Sequence, residues 1–260
     1  MKKIFKKEVL EEFQRTATVK PDILTEKDLV HLPSPVKKYL LQAGVVGKEK
    51  VHSMRIVFDG KIRSRPEDPW MKFQSVQYNF FNQPTRIFYI KARKMGIPAT
   101  GLHLYQNAKA IMVIKLAGLF KMVDARGPEM DQGETVTVFN DMCFMAPATL
   151  IDPDIQWKTI DNSTVRASYS NSGIRISADL VFNDKGELVN FISNDRFETT
   201  DGKNYMNYPW LTPVETYNEI KGYRLASKAF AIYRHPDKDF CYGEFSLKDI
   251  EYNCSSFQSL

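Results

Sequence analysis

The chain has little cysteine, little histidine and no long apolar run, and each shortage excludes something. Its three cysteines, Cys143, Cys241 and Cys254, show no CxxC spacing. A disulfide framework is therefore not expected, and free thiols in a reducing compartment are. The four histidines, His31, His52, His103 and His235, include no i, i+4 pair, which argues against a zinc site drawn from neighbouring residues. Ligands assembled from distant strands stay open. No stretch of about 18 apolar residues offers a membrane-spanning helix. The GxSxG elbow, the HExxH pair, the Walker loop and the GxGxxG turn are all missing, and with them the local signatures of hydrolases, zincins and nucleotide binders. No metal and no cofactor is expected.

The 260 residues carry a net charge of +5, and most of it lies ahead of Val51, where eleven Lys and Arg face seven Asp and Glu. No basic stripe continues through the body of the chain, so nucleic acid is not an expected partner. The first residues, MKKIFKKEVLEEF, read as a solvated amphipathic helix with weak membrane-surface contact as an alternative. Glu8, Glu11, Glu12, Gln14 and Arg15 stand where a secretory leader would need apolar residues. A cytoplasmic location is the expectation. The sequence leaves the oligomeric state open.

Hydrophobic residues at 43% and charged residues at 26% are ordinary for a globular protein, and aromatics at 12% lean toward β-structure. Residues 1–45 read as helical, with Ser34 and Pro35 opening a helix that exits at Gly44, and Thr25 with Asp28 opening a weaker one. From Val51 the apolar period becomes two: Met54, Ile56 and Phe58 share one face of a strand, and similar strands follow to Ala125. The pattern resumes at Ile155 and includes one strand over Glu187–Glu198 and a polar loop over Thr199–Pro213. Short turns between consecutive strands imply antiparallel pairing. The expected fold is mainly β, a β-rich α+β arrangement. It has a large curved antiparallel sheet or half-barrel, short N-terminal helices and one central helical insertion over 130–150. Nothing divides the chain, and 1–260 is read as a single domain with the N-terminal helices packed on the concave face.

The insertion, GPEMDQGETVTVFNDMCFMAPATLIDP, has two readings. Asp131 at the N-cap and Glu134 at the third helical position resemble a capping box, with Val138, Phe139, Met142, Cys143 and Ala146 following at helical spacing. Alternatively Glu129, Asp131 and Glu134, with Asp124 and Asp141 nearby, form a general acid/base or cation cluster. The cap is favoured, although Gly133 and the β-branched run Thr135–Val138 weaken a helix. Asp152 and Asp154 around Pro153 read as a turn. Trp70 and Trp210, each after a proline, suit loops that close over the mouth of a cavity. Arg196, placed in a strand, is either an anion clamp or an external bridge.

The segments LPSPVKKYL, GLFKMVDARGPEMDQGE, NDMCFMAPATLIDPDIQWKTID, NDRFE and PWLTPVETYNEIKGYRLASKAFAIYR together resemble an uncharacterised bacterial family classed as a domain of unknown function. The resemblance runs from Leu32 to Tyr252. It departs from the family's usual aromatic pair at Cys143 and Phe144, and it implies no catalytic set. The β-rich pattern with a helical plug is also similar to the open half-barrels of lipoprotein carriers, a likeness of fold alone. The leading functional expectation is a binding protein that holds a lipid or other hydrophobic small molecule in the concave face, with Trp70, Tyr105, Glu129, Glu134, Met142, Arg196 and Trp210 as ligand-facing candidates. The alternative is an enzyme of unknown reaction whose Asp124, Glu129, Asp131 and Glu134 meet Arg126 and Arg196. An interaction module with a wide apolar patch is a third possibility.

Overall fold

The computed structural model describes residues 1–94 and 96–260. Helix α1 (Lys2–Thr16), a short 3-10 turn at Glu26–Leu29 and helix α2 (Ser34–Ala43) precede the sheet. The Thr25–Asp28 start and the Gly44 exit hold, but Ser34 is not the cap of α2: it is the first helical residue, after Pro33 at the N-cap. Thr25 N donates to the Asp28 carboxylate at 2.7 Å, and Gly44 takes the left-handed conformation at φ 71° that ends α2.

A first meander follows, made of β1 (Ser53–Ile62), β2 (Met71–Phe80), β3 (Thr85–Lys94), β4 (Ile97–Gln106), β5 (Lys109–Leu116) and β6 (Phe120–Ala125). Helix α3 (Pro128–Met145) and a 3-10 turn at Pro147–Ile151 lead to a second, made of β7 (Ile155–Thr159), β8 (Thr164–Asn171), β9 (Ile174–Phe182) and β10 (Leu188–Ser193). The chain then forms a small hairpin, β11 (Phe197–Glu198) with β12 (Met206–Asn207). It returns to the main sheet as β13 (Trp210–Leu211), β14 (Val214–Ile220), β15 (Tyr223–Arg234) and β16 (Asp239–Tyr252).

Fourteen strands share one antiparallel sheet, thirteen of them in the order β6-β5-β4-β3-β2-β1-β16-β15-β13-β10-β9-β8-β7, with β14 paired to β15 alone. The last strand thus lies beside the first, Met54 opposite Tyr252 and Ile62 opposite Gly243. This seam joins the two meanders into one curled half-barrel. Register shifts at Val57/Phe58 and at Ala231/Ile232 place bulges on both sides of β16, and bulges bend strands. At Gly60 a Cβ would lie 2.0 Å from the Glu244 carbonyl oxygen and 2.7 Å from the Phe73 ring. Gly60→Ala is expected to cost about 1–3 kcal/mol by forcing the seam apart. An unchanged urea midpoint would show that the strands can shift at no expense.

Alternation gives the sheet two different faces, and both are covered. Tyr78 and Phe80 of β2, Ile87 and Tyr89 of β3 and Leu102 of β4 pack under Phe5 and Val9 of α1. Helix α1 therefore covers the face opposite α3, whereas α2 packs in the same core as α3, with Tyr39 against the Cys143 carbonyl; the expectation that the N-terminal helices sit on the concave side is corrected for α1 alone. Phe5 and Val9 are spent on the sheet, while Ile4 and Leu10 of the same helix stay exposed. No helix among the described residues is long and apolar enough to cross a membrane, which says nothing of strands. All three cysteines are free, Cys143 and Cys254 buried.

The single strand expected over Glu187–Glu198 is two. After Ser193 the side chains replace ladder bonds: Ser193 Oγ donates to the Ser177 carbonyl at 2.7 Å, and the Asp195 carboxylate accepts from Ser177 N at 2.6 Å. The chain leaves the sheet there, so Arg196 lies in the break between β10 and β11. The expected polar loop over Thr199–Pro213 contains β12 and β13, the latter bridging β10 and β15.

Candidate ligand-binding cavity

Helix α3 links the outer strands β6 and β7, and the sheet curls around it. Fourteen of its eighteen residues are buried, the mark of a central helix, and tertiary packing overrides the poor propensity of Thr135–Val138. Thr135 and Thr137 turn their hydroxyls back onto the carbonyls of Asp131 and Gly133 at 2.8 and 2.9 Å. The helix starts earlier than expected, with Gly127 as N-cap and Pro128 at the first helical position. Asp131 is not the cap: its carboxylate accepts from Ala110 N at 2.7 Å and from Lys109 Nζ at 2.8 Å, fastening the helix to β5. At the other end the Cys143 and Met145 carbonyls, which have no partner within the helix, accept from the hydroxyls of Tyr39 and Tyr252.

One side of α3 is core. Phe139 stacks on Tyr169 at 5.3 Å and meets Phe191 at 5.8 Å, with Met142 and Cys143 beside it. The other side faces the concave surface of β1–β5, β15 and β16 across a cavity of about 810 Å³. Its walls are mostly apolar, with Phe58, Phe88, Ile114, Met130, Phe144 and Phe245 among them.

The floor is polar. Arg86 of β3 donates to Glu134 at 3.0 Å, to Asp141 at 2.9 Å and to Gln77 Oε1 at 2.9 Å. Gln77 and Asn79 of β2 donate to the same Asp141 oxygen at 2.6 and 3.0 Å. His103 Nδ1 stands 3.6 Å from Glu134. The two carboxyls are pushed in opposite directions. Burial raises Glu134, but Arg86 and His103 outweigh it and hold the group at about 2. Burial also raises Asp141, and there Arg86, Asn79 and Gln77 offset it only in part, so the group stays above its ordinary value.

Four of the seven ligand-facing candidates, Glu129, Glu134, Arg196 and Trp210, line this cavity. Trp210 is not a loop lid; it is a buried strand residue whose Nε1 donates to the Tyr242 hydroxyl at 3.1 Å. Three others lie outside its walls. Tyr105 is fully buried between Thr135 and Asn171, at 2.7 and 2.8 Å; Met142 belongs to the core side of α3; and Trp70 packs under Arg63, 4.5 Å from its ring centre. The acidic cluster does not assemble either. Asp124 is exposed and paired with Lys121 and Arg126, and Asp131 is engaged with β5. Sequence reading missed Arg86, Gln77, Asn79, His103 and the role of Asp141. The signal available was a row of polar residues sharing the concave face of β2, β3 and β4.

Among solved structures the fold is similar to a DUF1329 family protein from Desulfovibrio piger, at 8% identity and TM-score 0.46, covering 86% of this chain and 94% of that one. It is similar to a LolA superfamily protein from Nitrosomonas europaea, at 8% and 0.44, covering 84% and 94%. A third is described as a "putative outer membrane lipoprotein-sorting protein domain" from Vibrio parahaemolyticus, at 6% and 0.43, covering 79% and 87%. The cytoplasmic location expected from the sequence is withdrawn beside these structures; outer-membrane sorting stands in the description of the third and is said of that protein. No curated protein matches the chain. The family resemblance read from the sequence holds: the model of the family of unknown function DUF6544 matches residues 22–245, and the chain belongs to that family.

Proposed function

We propose that the protein binds a lipid or another hydrophobic small molecule in the cavity between α3 and the concave face of the sheet. The observation that carries this reading is the cavity itself. Its volume of about 810 Å³ falls in the range of pockets that enclose small ligands, roughly 300–1,000 Å³. A fully packed concave face would have left no room. The walls supply apolar surface for a chain or ring system, and the few polar groups converge on one end, the usual division of labour between affinity and orientation.

Ile114 of β5 faces the cavity, so Ile114→Trp should fill it without disturbing the buried side of α3. Titration with the neutral dye N-phenyl-1-naphthylamine is expected to show binding to the wild type that weakens about tenfold or more in the variant, a loss of about 1.4 kcal/mol. Native mass spectrometry of purified protein should show an apolar species carried by the wild type and reduced in the variant. Equal dye affinity in both proteins would place any apolar binding elsewhere and overturn the reading.

A further inference from the structure

We infer that the bound molecule is an amphipathic anion whose carboxylate or phosphate head is received by Arg196. This rests on the binding reading above. The evidence is the way Arg196 is held. Its guanidinium lies over the Trp210 ring, 4.6 Å from the centroid, and 5.7 Å from that of Tyr233. Its Nε donates to Thr137 Oγ1 at 3.2 Å, and one terminal nitrogen donates to the Tyr233 hydroxyl. Among the described residues its hydrogen-bond partners are these two neutral hydroxyls. Glu134, a neighbouring carboxylate, is taken up by Arg86 at 3.0 Å and faces His103 at 3.6 Å.

The contrast with Arg86 defines the two roles. Arg86 has its charge met by two carboxylates within the protein, and it builds the floor. Arg196 is fixed in orientation by an aromatic face and two hydroxyls while its charge is left without a carboxylate contact, and it borders the cavity. Arg196 is half-buried, and Glu134, already engaged by Arg86, acts on it only through space; a guanidinium drawn partly out of water gains from a direct anionic partner. Its planar fork matches carboxylate and phosphate oxygens. Tyr233 is itself anchored through its hydroxyl to the Phe197 carbonyl at 2.9 Å, so the fork is held from behind by a rigid element. An apolar chain against Phe88 and Ile114 with its head toward Arg196 uses both halves of the cavity.

The test uses the full chain and competition against bound N-phenyl-1-naphthylamine by laurate, dodecyl phosphate and dodecanol, which share a chain and differ in the head. Laurate or dodecyl phosphate is expected to displace the dye from the wild type at about tenfold lower concentration than dodecanol. The tighter of the two identifies the head as carboxylate or phosphate. In Arg196→Met the ratio between anion and alcohol should collapse toward one, and Arg196→Lys, which keeps the charge and loses the fork, should retain part of it. Equal competition by dodecanol and both anions in the wild type overturns the anionic head and leaves the hydrophobic pocket standing. So does an anion preference that survives Arg196→Met. Failure of the dye to bind at all removes the pocket reading, and this inference with it.

Discussion

Arg86→Met is expected to lower stability by about 3–5 kcal/mol at neutral pH, because it leaves two buried carboxyls without their cation. Glu134 and Asp141 are only 3% and 9% exposed, and Arg86 is 7% exposed, so solvent offers little relief. The effect has a pH signature. Glu134 is held in the wild type at about 2, below its ordinary 4.5. A depressed carboxyl stabilises the fold above its unfolded value, and that contribution is lost as the pH falls toward 2. Asp141 has the opposite sign: its raised carboxyl costs stability while ionised, and the cost disappears on protonation. Without Arg86 both carboxyls are relieved by protons. The gap between wild type and variant should therefore be widest near neutrality, begin to narrow as the variant's raised carboxyls take up protons, and go on narrowing toward pH 2, where wild-type Glu134 is itself protonated. Urea unfolding at several pH values measures it. A gap under about 1 kcal/mol that stays constant with pH would show that the charges are hydrated from the cavity and do not depend on Arg86.

Phe139→Ala is the second large loss, about 3–5 kcal/mol. Phe139 is fully buried and stacks on Tyr169 with an interplanar angle of 11°, so truncation opens a new void where α3 meets β8 and β10. Ile114→Ala is the control, because that side chain borders a space that already exists. It should lose less than about 2 kcal/mol, since the removed atoms enlarge a cavity and do not create one. Equal losses at the two positions would show that the concave side is as tightly packed as the core side, which would also weaken the binding reading.

The difference between those two positions was not legible in the sequence. Val138, Phe139, Met142 and Cys143 mark a helix, but the opposite side of α3 carries Glu134, Thr137, Asn140 and Asp141, which reads as a solvated face. It is in fact the floor of a cavity. The same misreading hides the site on the strands. Period two in β2 separates Tyr78 and Phe80 from Gln77 and Asn79, and the ordinary inference puts the polar pair in water. Here α1 covers the apolar face and α3 covers the polar one, so Gln77 and Asn79 are buried, at 1% and 0% exposure. Arg86 meets Asn79 because β2 and β3 pair in that register. It meets Glu134 and Asp141 across 48 and 55 residues of chain, a separation over which no local pattern operates.

Local chemistry, by contrast, was sufficient for the elements. Ser34, Pro35 and Gly44 delimit α2, Thr25 and Asp28 close a capping box, and Asp152 and Asp154 make a turn in which Asp154 N donates to Asp152 at 2.8 Å. Each of these depends on residues within a few positions of one another. The two glutamates and one aspartate of GPEMDQGE show the limit. Gly127 and Pro128 start the helix, which frees Asp131 for β5 and Glu134 for Arg86. A cap signal and a tertiary carboxylate have the same composition, and only the position of the helix start separates them.

The sequence by itself determined a mainly antiparallel sheet, a helical insertion between two meanders and membership of one family. These follow from periodicity, turn residues and ordered segments, all properties of neighbouring positions. Tertiary structure alone decided which face of the sheet α1 covers, that β16 closes against β1, and that Arg86 is neutralised within the protein while Arg196 borders the cavity with no carboxylate in direct contact. Those outcomes depend on strand register and on which layers stack, and electrostatic pairing across such distances exists only after the chain has folded.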